Sequence, residues 1–250
     1  MSFLSKLFGS KSQVVPFEPA FNFLQVDMHS HLIPGIDDGV DTVEHSVLVI
    51  KELMAQGYKK IITTPHIMFD SFRNSRETIL PGLDLVREAL RKENIDIEIE
   101  AAAEYYLDEQ FLDLIKSNNL MSFGKNYVLI ETNYMHASPL LNKAIFDLKM
   151  AGYRPILAHP ERYVYLYDHF EKFEEIYERG VLFQVNLFSL AAYYSPKSRE
   201  MSEMMIEKNM VDFIGTDIHG ERHFKALKEG LNNVLFSTAN QERIKNKSLL

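Results

Sequence analysis

The feature that most restricts this chain is a repeated order: a short apolar run, a polar or ionisable residue at its end, then an amphipathic helical stretch. Phe23-Leu24-Gln25-Val26 runs into Asp27, His29 and His31, and residues 43–56 then carry helical periodicity as far as Gly57. Residues 60–63 lead to His66 and a helix over 75–92, and residues 95–103 lead to Glu104. Residues 127–130 lead to Glu131 and a helix over 139–151, and residues 154–158 to His159 and a helix near 170–179. The last two runs, 181–185 and 211–215, end in Asn186 and in Asp217 with His219, separated by a helix near 197–209. Alternating strands and helices imply a parallel sheet, and near-continuous apolar strands suit a sheet covered on both faces. About seven such units predict a single-domain α/β barrel of the TIM-like kind, with a doubly wound open sheet as the competing architecture. In a barrel, residues at the C-terminal ends of the strands share one mouth.

Composition narrows the chemistry. The chain has no cysteine, which excludes disulfides, thiolate metal sites and a cysteine nucleophile, and suits a reducing cytoplasm. A net charge of −8 without a basic stripe argues against nucleic acid as a partner. No apolar window is long enough to span a membrane. Residues 1–22 read as an N-terminal extension, either a poorly ordered tail or a docking segment, and residues 23–250 as the barrel. Within the extension, Phe3, Leu4, Leu7 and Phe8 fall at helical spacing beside Lys6, so peripheral membrane contact through residues 1–10 is the alternative to a loose tail.

The strand-end residues form a ligand set. In an extended segment His29 and His31 point to the same side and can face one ion. Asp27 precedes them, and Asp38 follows in the loop PGIDDG. His66, Glu104, Glu131, His159, Asp217 and His219 occupy later strand ends, so five of the nine histidines belong at the mouth. Nitrogen and oxygen donors without sulfur suit Mn²⁺, Fe²⁺ or Zn²⁺. The set exceeds the three or four protein ligands of one catalytic zinc, so two or three ions are expected. His45, His136, His169 and His223 read as structural or solvated, with His223 the nearest to an exception. Arg162 in HPERY and Arg222 in HGER lie close to the ligands in sequence, and a guanidinium fits a phosphoryl group bidentately.

Taken in order, DMHSHLIPGIDDGV (27–40), TTPH (63–66), AAEYYLD (102–108), LIET (129–132), LAHPERY (157–163), FQVN (183–186) and GTDIHG (215–220) resemble the polymerase-and-histidinol-phosphatase (PHP) superfamily. Within it they are similar to the tyrosine-protein phosphatases of bacterial capsular and exopolysaccharide loci, the CpsB/CapC/YwqE type. The resemblance implies a distorted (β/α)7 barrel and a trinuclear site, usually of manganese. Its ligands would be His29, His31, Asp38, His66, Glu104, Glu131, His159, Asp217 and His219. Glu104 would bridge ions, Arg162 and Arg222 would hold phosphate, and Asp27 would orient a ligand histidine from behind. It further implies that the substrate is a phosphotyrosine protein, a bacterial tyrosine kinase with a tyrosine-rich tail, and that dephosphorylation regulates polysaccharide assembly. Residues 187–194 (LFSLAAYY) depart from the family by lacking the glycines common after its sixth strand.

The expected reaction is therefore hydrolysis of a phosphomonoester by metal-activated water, since no cysteine is available. A phosphatase of a small ester such as histidinol phosphate is the rival within the same chemistry. A kinase-docking protein with secondary or lost catalysis is the rival from another class.

Overall fold

The computed structural model describes residues 24–231 and 238–250; the N-terminal extension expected at 1–22 lies outside them. The first half of the chain runs β1 (Val26–Asp27), α1 (Val43–Ala55), β2 (Lys60–Thr63), β3 (His66–Ile67), α2 (Arg76–Lys92), β4 (Glu98–Ala101), β5 (Glu104–Tyr106) and α3 (Glu109–Lys116). The second half continues with β6 (Tyr127–Glu131), α4 (Leu141–Met150), β7 (Arg154–Ala158), α5 (Phe170–Glu178) and β8 (Leu182–Asn186). It ends with α6 (Leu187–Leu190), α7 (Pro196–Glu207), β9 (Phe213–Gly215), α8 (Phe224–Leu231) and α9 (Thr238–Arg243). All the strand pairs are parallel, in the orders β1-β2-β4 and β3-β5-β6-β7-β8-β9. The result is a curled parallel sheet with helices outside it.

Two short strands not expected from periodicity follow β2 and β4 after a break. Thr64-Pro65 separates β2 from β3, and Ala102-Ala103 separates β4 from β5. Proline has no N–H to give to a ladder, so the break at Pro65 follows from its chemistry. The chain nevertheless resumes beside its neighbour, with His66 in register with Glu104. His66 and Glu104 thus open short strands rather than following the ends of longer ones.

The curl is stitched between its first and last strands. Beyond β1 and β9, Ser30 bridges Ile218, and the Asp217 N–H donates to the His29 carbonyl at 2.7 Å. At the opposite end, the Asn246 side chain donates to the carbonyls of Val26 (2.8 Å) and Ile214 (2.6 Å) and accepts from the Ile214 N–H. One buried amide does there what a strand ladder would otherwise do.

Alternation along the strands divides the core. Val128, Ile130, Leu157, Val185 and Ile214 pack outward among the helices, while Leu129, Ile156, Ala158 and Phe213 fill the inside with Val26, Met28 and Leu249. Because the period is two, the inner stripe of β6 reads Tyr127, Leu129, Glu131 and that of β8 reads Leu182, Gln184, Asn186. Each stripe is apolar at the start and polar at the end. Alternation therefore delivers polar side chains to one mouth.

The helices are fixed by ordinary means. In α1, Val47, Ile50 and Leu53 recur on the buried face, and the Thr42 side chain caps the first turn by accepting from the His45 N–H. Asp108 caps α3, a helix the periodicity reading missed. No helix among the described residues is long and apolar enough to cross a membrane.

Candidate metal centre

The mouth gathers every residue the sequence proposes as a metal ligand. Four overlapping groups have donor atoms within 4.8 Å of one another: His31, Asp38, His66 and His219; His29, His31 and Glu104; His29, His159 and Asp217; and His66, Glu104 and Glu131. The Nε2 atoms of His29 and His31 lie 3.4 Å apart, as same-side side chains should. Glu104 is the most central residue. Its Oε2 lies 3.2 Å from His29, 3.6 Å from His31 and 3.1 Å from His66, and its Oε1 lies 2.9 Å from His159.

Two ligand candidates reach the centre through unusual backbone. His159 and Asp217 take left-handed conformations, with φ of 33° and 54°. For a residue with a Cβ this costs on the order of 1–3 kcal/mol, and such cost persists where surrounding structure holds a functional geometry. His159 turns the chain directly into the Pro160–Arg162 helical turn, which carries Arg162 to the same mouth.

Whether metal fits can be tested on the donors themselves. His66 Nδ1 lies 3.1 Å from both Glu104 Oε2 and Glu131 Oε1, yet all three buried atoms lack a hydrogen bond. Buried polar atoms are nearly always satisfied, and these sit close together without donor–acceptor alignment. Hard oxygen and imidazole donors converging without hydrogen bonds are what a divalent cation requires. The residues fit the group.

The supporting residues are mostly ones the sequence did not single out. Asp37 Oδ2 holds His31 Nδ1 at 2.8 Å and also accepts from the His66 N–H at 3.1 Å. Gln184 Oε1 holds His29 Nδ1 at 2.8 Å, and Gln184 Nε2 donates to Asn186 Oδ1 at 2.8 Å. Asp27, expected to orient a ligand histidine, instead accepts from the Thr216 N–H (2.9 Å) and hydroxyl (2.8 Å). It secures the sheet seam next to Asp217, and burial raises its carboxyl to about 6. Its carboxylate also accepts from the backbone N–H of His29, so it meets that histidine through the main chain rather than through the ring.

Asp217 is divided between two environments. Its Oδ1 faces His29 (3.4 Å) and His31 (3.3 Å). Its Oδ2 accepts from Arg162 (2.9 Å), Asn186 (2.7 Å) and the Tyr194 hydroxyl (3.3 Å). The Arg162 guanidinium stacks on two rings, 4.6 Å from the centroid of Tyr134 and 4.0 Å from that of Tyr194. Tyr194 comes from the segment 187–194 that follows β8. Arg222 is exposed and shares the lining of the cleft; its Nε lies 3.4 Å from His223 Nε2. His223 accepts from the His219 N–H at 3.1 Å and is lowered to about 4 by burial and by the His219 and Arg222 charges, so it is a neutral brace. Of the remaining histidines, the structure gives His45, His136 and His169 no place in the ligand groups among the described residues.

The ionisation of the cluster follows from these contacts. Burial would raise the carboxyl of Glu104, but the adjacent His29 and His66 hold it well below the usual carboxylate range. Asp217 is held low in the same way by His29 and His219. Burial would lower His66, yet the Glu104 carboxylate lifts it to about 9. Above the centre lies a cleft of about 570 Å³ whose walls include Phe72, Tyr106, Tyr134, Tyr193 and Tyr194. The arrangement can neutralise a phosphoryl group at its floor and receive a planar ring along its walls.

The family model for capsular polysaccharide synthesis, CpsB/CapC, matches residues 25–242. The tyrosine-protein phosphatase YwqE of Bacillus subtilis (strain 168) is 28% identical over 195 residues, covering 78% of this chain and 77% of that protein. The tyrosine-protein phosphatase CpsB of Streptococcus agalactiae is 26% identical over 200 residues, covering 78% and 82% respectively. A solved chain from work on YwqE of Bacillus subtilis and CpsB of Streptococcus pneumoniae, described as unique metal-dependent tyrosine phosphatases, shares the fold. It superposes with a TM-score of 0.81 at 24% identity, over 90% of this chain and 94% of that one.

Proposed function

This chain belongs to the CpsB/CapC family of capsular polysaccharide synthesis, and from that premise we propose that it is a metal-dependent tyrosine-protein phosphatase. The observation that carries the reading is the convergence of His66 Nδ1, Glu104 Oε2 and Glu131 Oε1, buried and without hydrogen bonds, beneath a cleft with aromatic walls. The cysteine-free composition removes the thiolate route to the same product.

The nine ligand candidates of the mouth would hold two or three divalent ions, with manganese as the metal. Such ions supply activated water at neutral pH and neutralise phosphoryl charge. Arg162 contributes a fixed positive charge, since its bond to Asp217 uses one of the five guanidinium N–H donors and two rings restrain its plane. Arg222, which lines the same cleft, is the second phosphate contact. Phe72, stacked on His66 with ring centroids 5.5 Å apart, and Tyr134 flank the place of the phenyl ring. Asp37, Gln184 and Asn186 act by fixing the orientation of ligands, and Asp27 by fixing Thr216 beside Asp217.

The finer fold reading, seven barrel units, counts β2 with β3 and β4 with β5 as single interrupted strands. The substrate is a phosphotyrosine protein in the cytoplasm, a tyrosine kinase acting in capsule or exopolysaccharide assembly.

Phosphate release from a phosphotyrosine peptide tests the reading, using protein loaded with Mn²⁺, then chelated, then reloaded. Turnover lost on chelation and restored by metal is expected. A fully loaded protein that hydrolyses histidinol phosphate but no aryl phosphate would overturn the tyrosine phosphatase assignment.

A further inference from the structure

A second concavity adjoins the metal cleft. It has a volume of about 430 Å³ and is lined chiefly by Ile67, Met68, Phe69, Tyr105, Phe111 and Leu114. Strand alternation explains its position. His66 and Glu104 pair in register and face the metal centre, while the next pair, Ile67 and Tyr105, points to the other side and floors the groove. Met68 lines both spaces, so the wall between them is the loop that begins there. That loop is closed by reciprocal backbone bonds between Met68 and Phe72 (2.9 and 2.8 Å). Phe72 lies on the cleft side, stacked on His66, and Phe69 lies on the groove side.

Phe69 is 42% exposed, yet it is held in place. Its N–H donates to Asp108 Oδ2 (3.3 Å), its carbonyl accepts from Arg73 Nε (2.8 Å), and the Arg73 guanidinium lies 4.7 Å from its ring centroid. Asp108 is itself engaged as the cap of α3 through the Phe111 N–H. Arg73 and Asp108 on the rim are thus engaged in fixing an exposed aromatic, and the lining between them and Leu114 is mainly apolar. An exposed, preformed apolar surface next to a reaction cleft binds a side chain with little ordering cost.

We propose that this groove is a substrate subsite, receiving an apolar side chain close to the phosphotyrosine in the sequence of the substrate protein. The inference rests on the phosphatase reading for its occupant. A peptide whose phosphotyrosyl side chain enters the cleft must continue along the rim, and the groove opens across a one-loop wall from that point. Met68, Phe69 and Phe72 then act as a divider, with the reacting residue on one side and its neighbour on the other. Small aryl phosphates fill only the cleft, so the groove separates protein substrates from them.

The test uses the full chain loaded with Mn²⁺ and two non-hydrolysable phosphonate analogues of a phosphotyrosine peptide. One carries leucine at the three positions on either side of the analogue, and the other carries serine there. The leucine peptide should bind about tenfold more tightly by fluorescence anisotropy, the scale of burying one leucine side chain. Leu114→Asp and, independently, Phe69→Ser should each reduce that preference to about threefold or less. Turnover of p-nitrophenyl phosphate should be unchanged in Leu114→Asp, which also reports that it folds, while circular dichroism reports the fold of Phe69→Ser. Equal affinity of the two peptides for the unaltered chain, or a preference that survives both substitutions, would overturn the subsite. So would a dimer in gel filtration that Leu114→Asp converts to a monomer, since the groove would then lie between two copies of the chain. If the unaltered chain hydrolyses no aryl phosphate, the phosphatase reading falls by itself, and the two binding affinities still decide the groove.

Discussion

Asp37 and Asp38 are neighbours with separate tasks. Asp38 is half-exposed, and its Oδ1 lies 3.5 Å from His66 and 3.3 Å from His219, among the ligand candidates. Asp37 is turned inward and holds His31 Nδ1, which fixes the tautomer that leaves Nε2 as the electron-pair donor. Partners of this kind typically tune metal affinity by about 10–100-fold. Asp37→Asn should therefore weaken Mn²⁺ binding by that order, measured by competition with a chelating dye, while leaving the fold's circular dichroism unchanged. An affinity equal to that of the unaltered protein would show that Asp37 does not orient His31. Both aspartates stand in the same loop and only Asp38 was readable as a ligand candidate; the inward role of Asp37 depends on a χ rotation that no spacing specifies.

At the scale of elements, the inner face of β8 and the glycine of β9 shape the site together. Gln184 and Asn186 lie two residues apart on one strand face and connect His29 to Asp217 through successive hydrogen bonds. Gly215, in the neighbouring strand, makes room for that chain of contacts. A Cβ there would stand 2.6 Å from His29 Cβ and 2.8 Å from Gln184 Nε2. Gly215→Ala should displace His29 or Gln184, cost about 1–3 kcal/mol by overpacking and lower metal affinity. Thermal unfolding and metal content per chain would read both effects. Full metal content with an unchanged melting temperature would show that the close approach is not needed. The strands that the sequence pattern located, such as β2, β6 and β7, are those with near-continuous apolar runs. The β4/β5 break was not legible because Ala102 and Ala103 are ordinary in a strand, and register with the neighbouring chain decides where pairing lapses.

For the whole molecule, the centre ties together segments from Asp27 to His219, so metal occupancy and stability are linked. Saturating one site at about 100 times its dissociation constant adds about 2.7 kcal/mol, or on the order of 5–10 °C in a domain of this size. Chelation should lower the melting temperature by that order, and the difference should shrink between pH 8 and pH 6. The sign follows from proton competition. His66 is held at about 9 by Glu104, so across this range it carries a proton that metal must displace. Affinity then falls by about tenfold per pH unit for each such proton. Calorimetry in buffers of different ionisation enthalpy would count the protons released. A melting temperature indifferent to chelation, or to pH over this window, would sever the link between the cluster and the fold.

The candidate donors were legible in the sequence alone. Their positions after apolar runs follow from strand alternation and from a parallel sheet's habit of placing all its C-terminal ends together, both local rules that a reader can apply to one chain. Charge, the missing cysteine and the arginines beside His159 and His219 likewise need no coordinates. Tertiary structure decided what holds those donors. Gln184 meets His29 across 155 positions, Thr216 takes Asp27 across 189, and Tyr194 reaches Asp217 and Arg162 only because α6 and a left-handed Ala192 turn the chain back over the mouth. Such pairings depend on which strands become neighbours when the sheet curls, and on rotamers chosen against those neighbours. Residue spacing encodes neither.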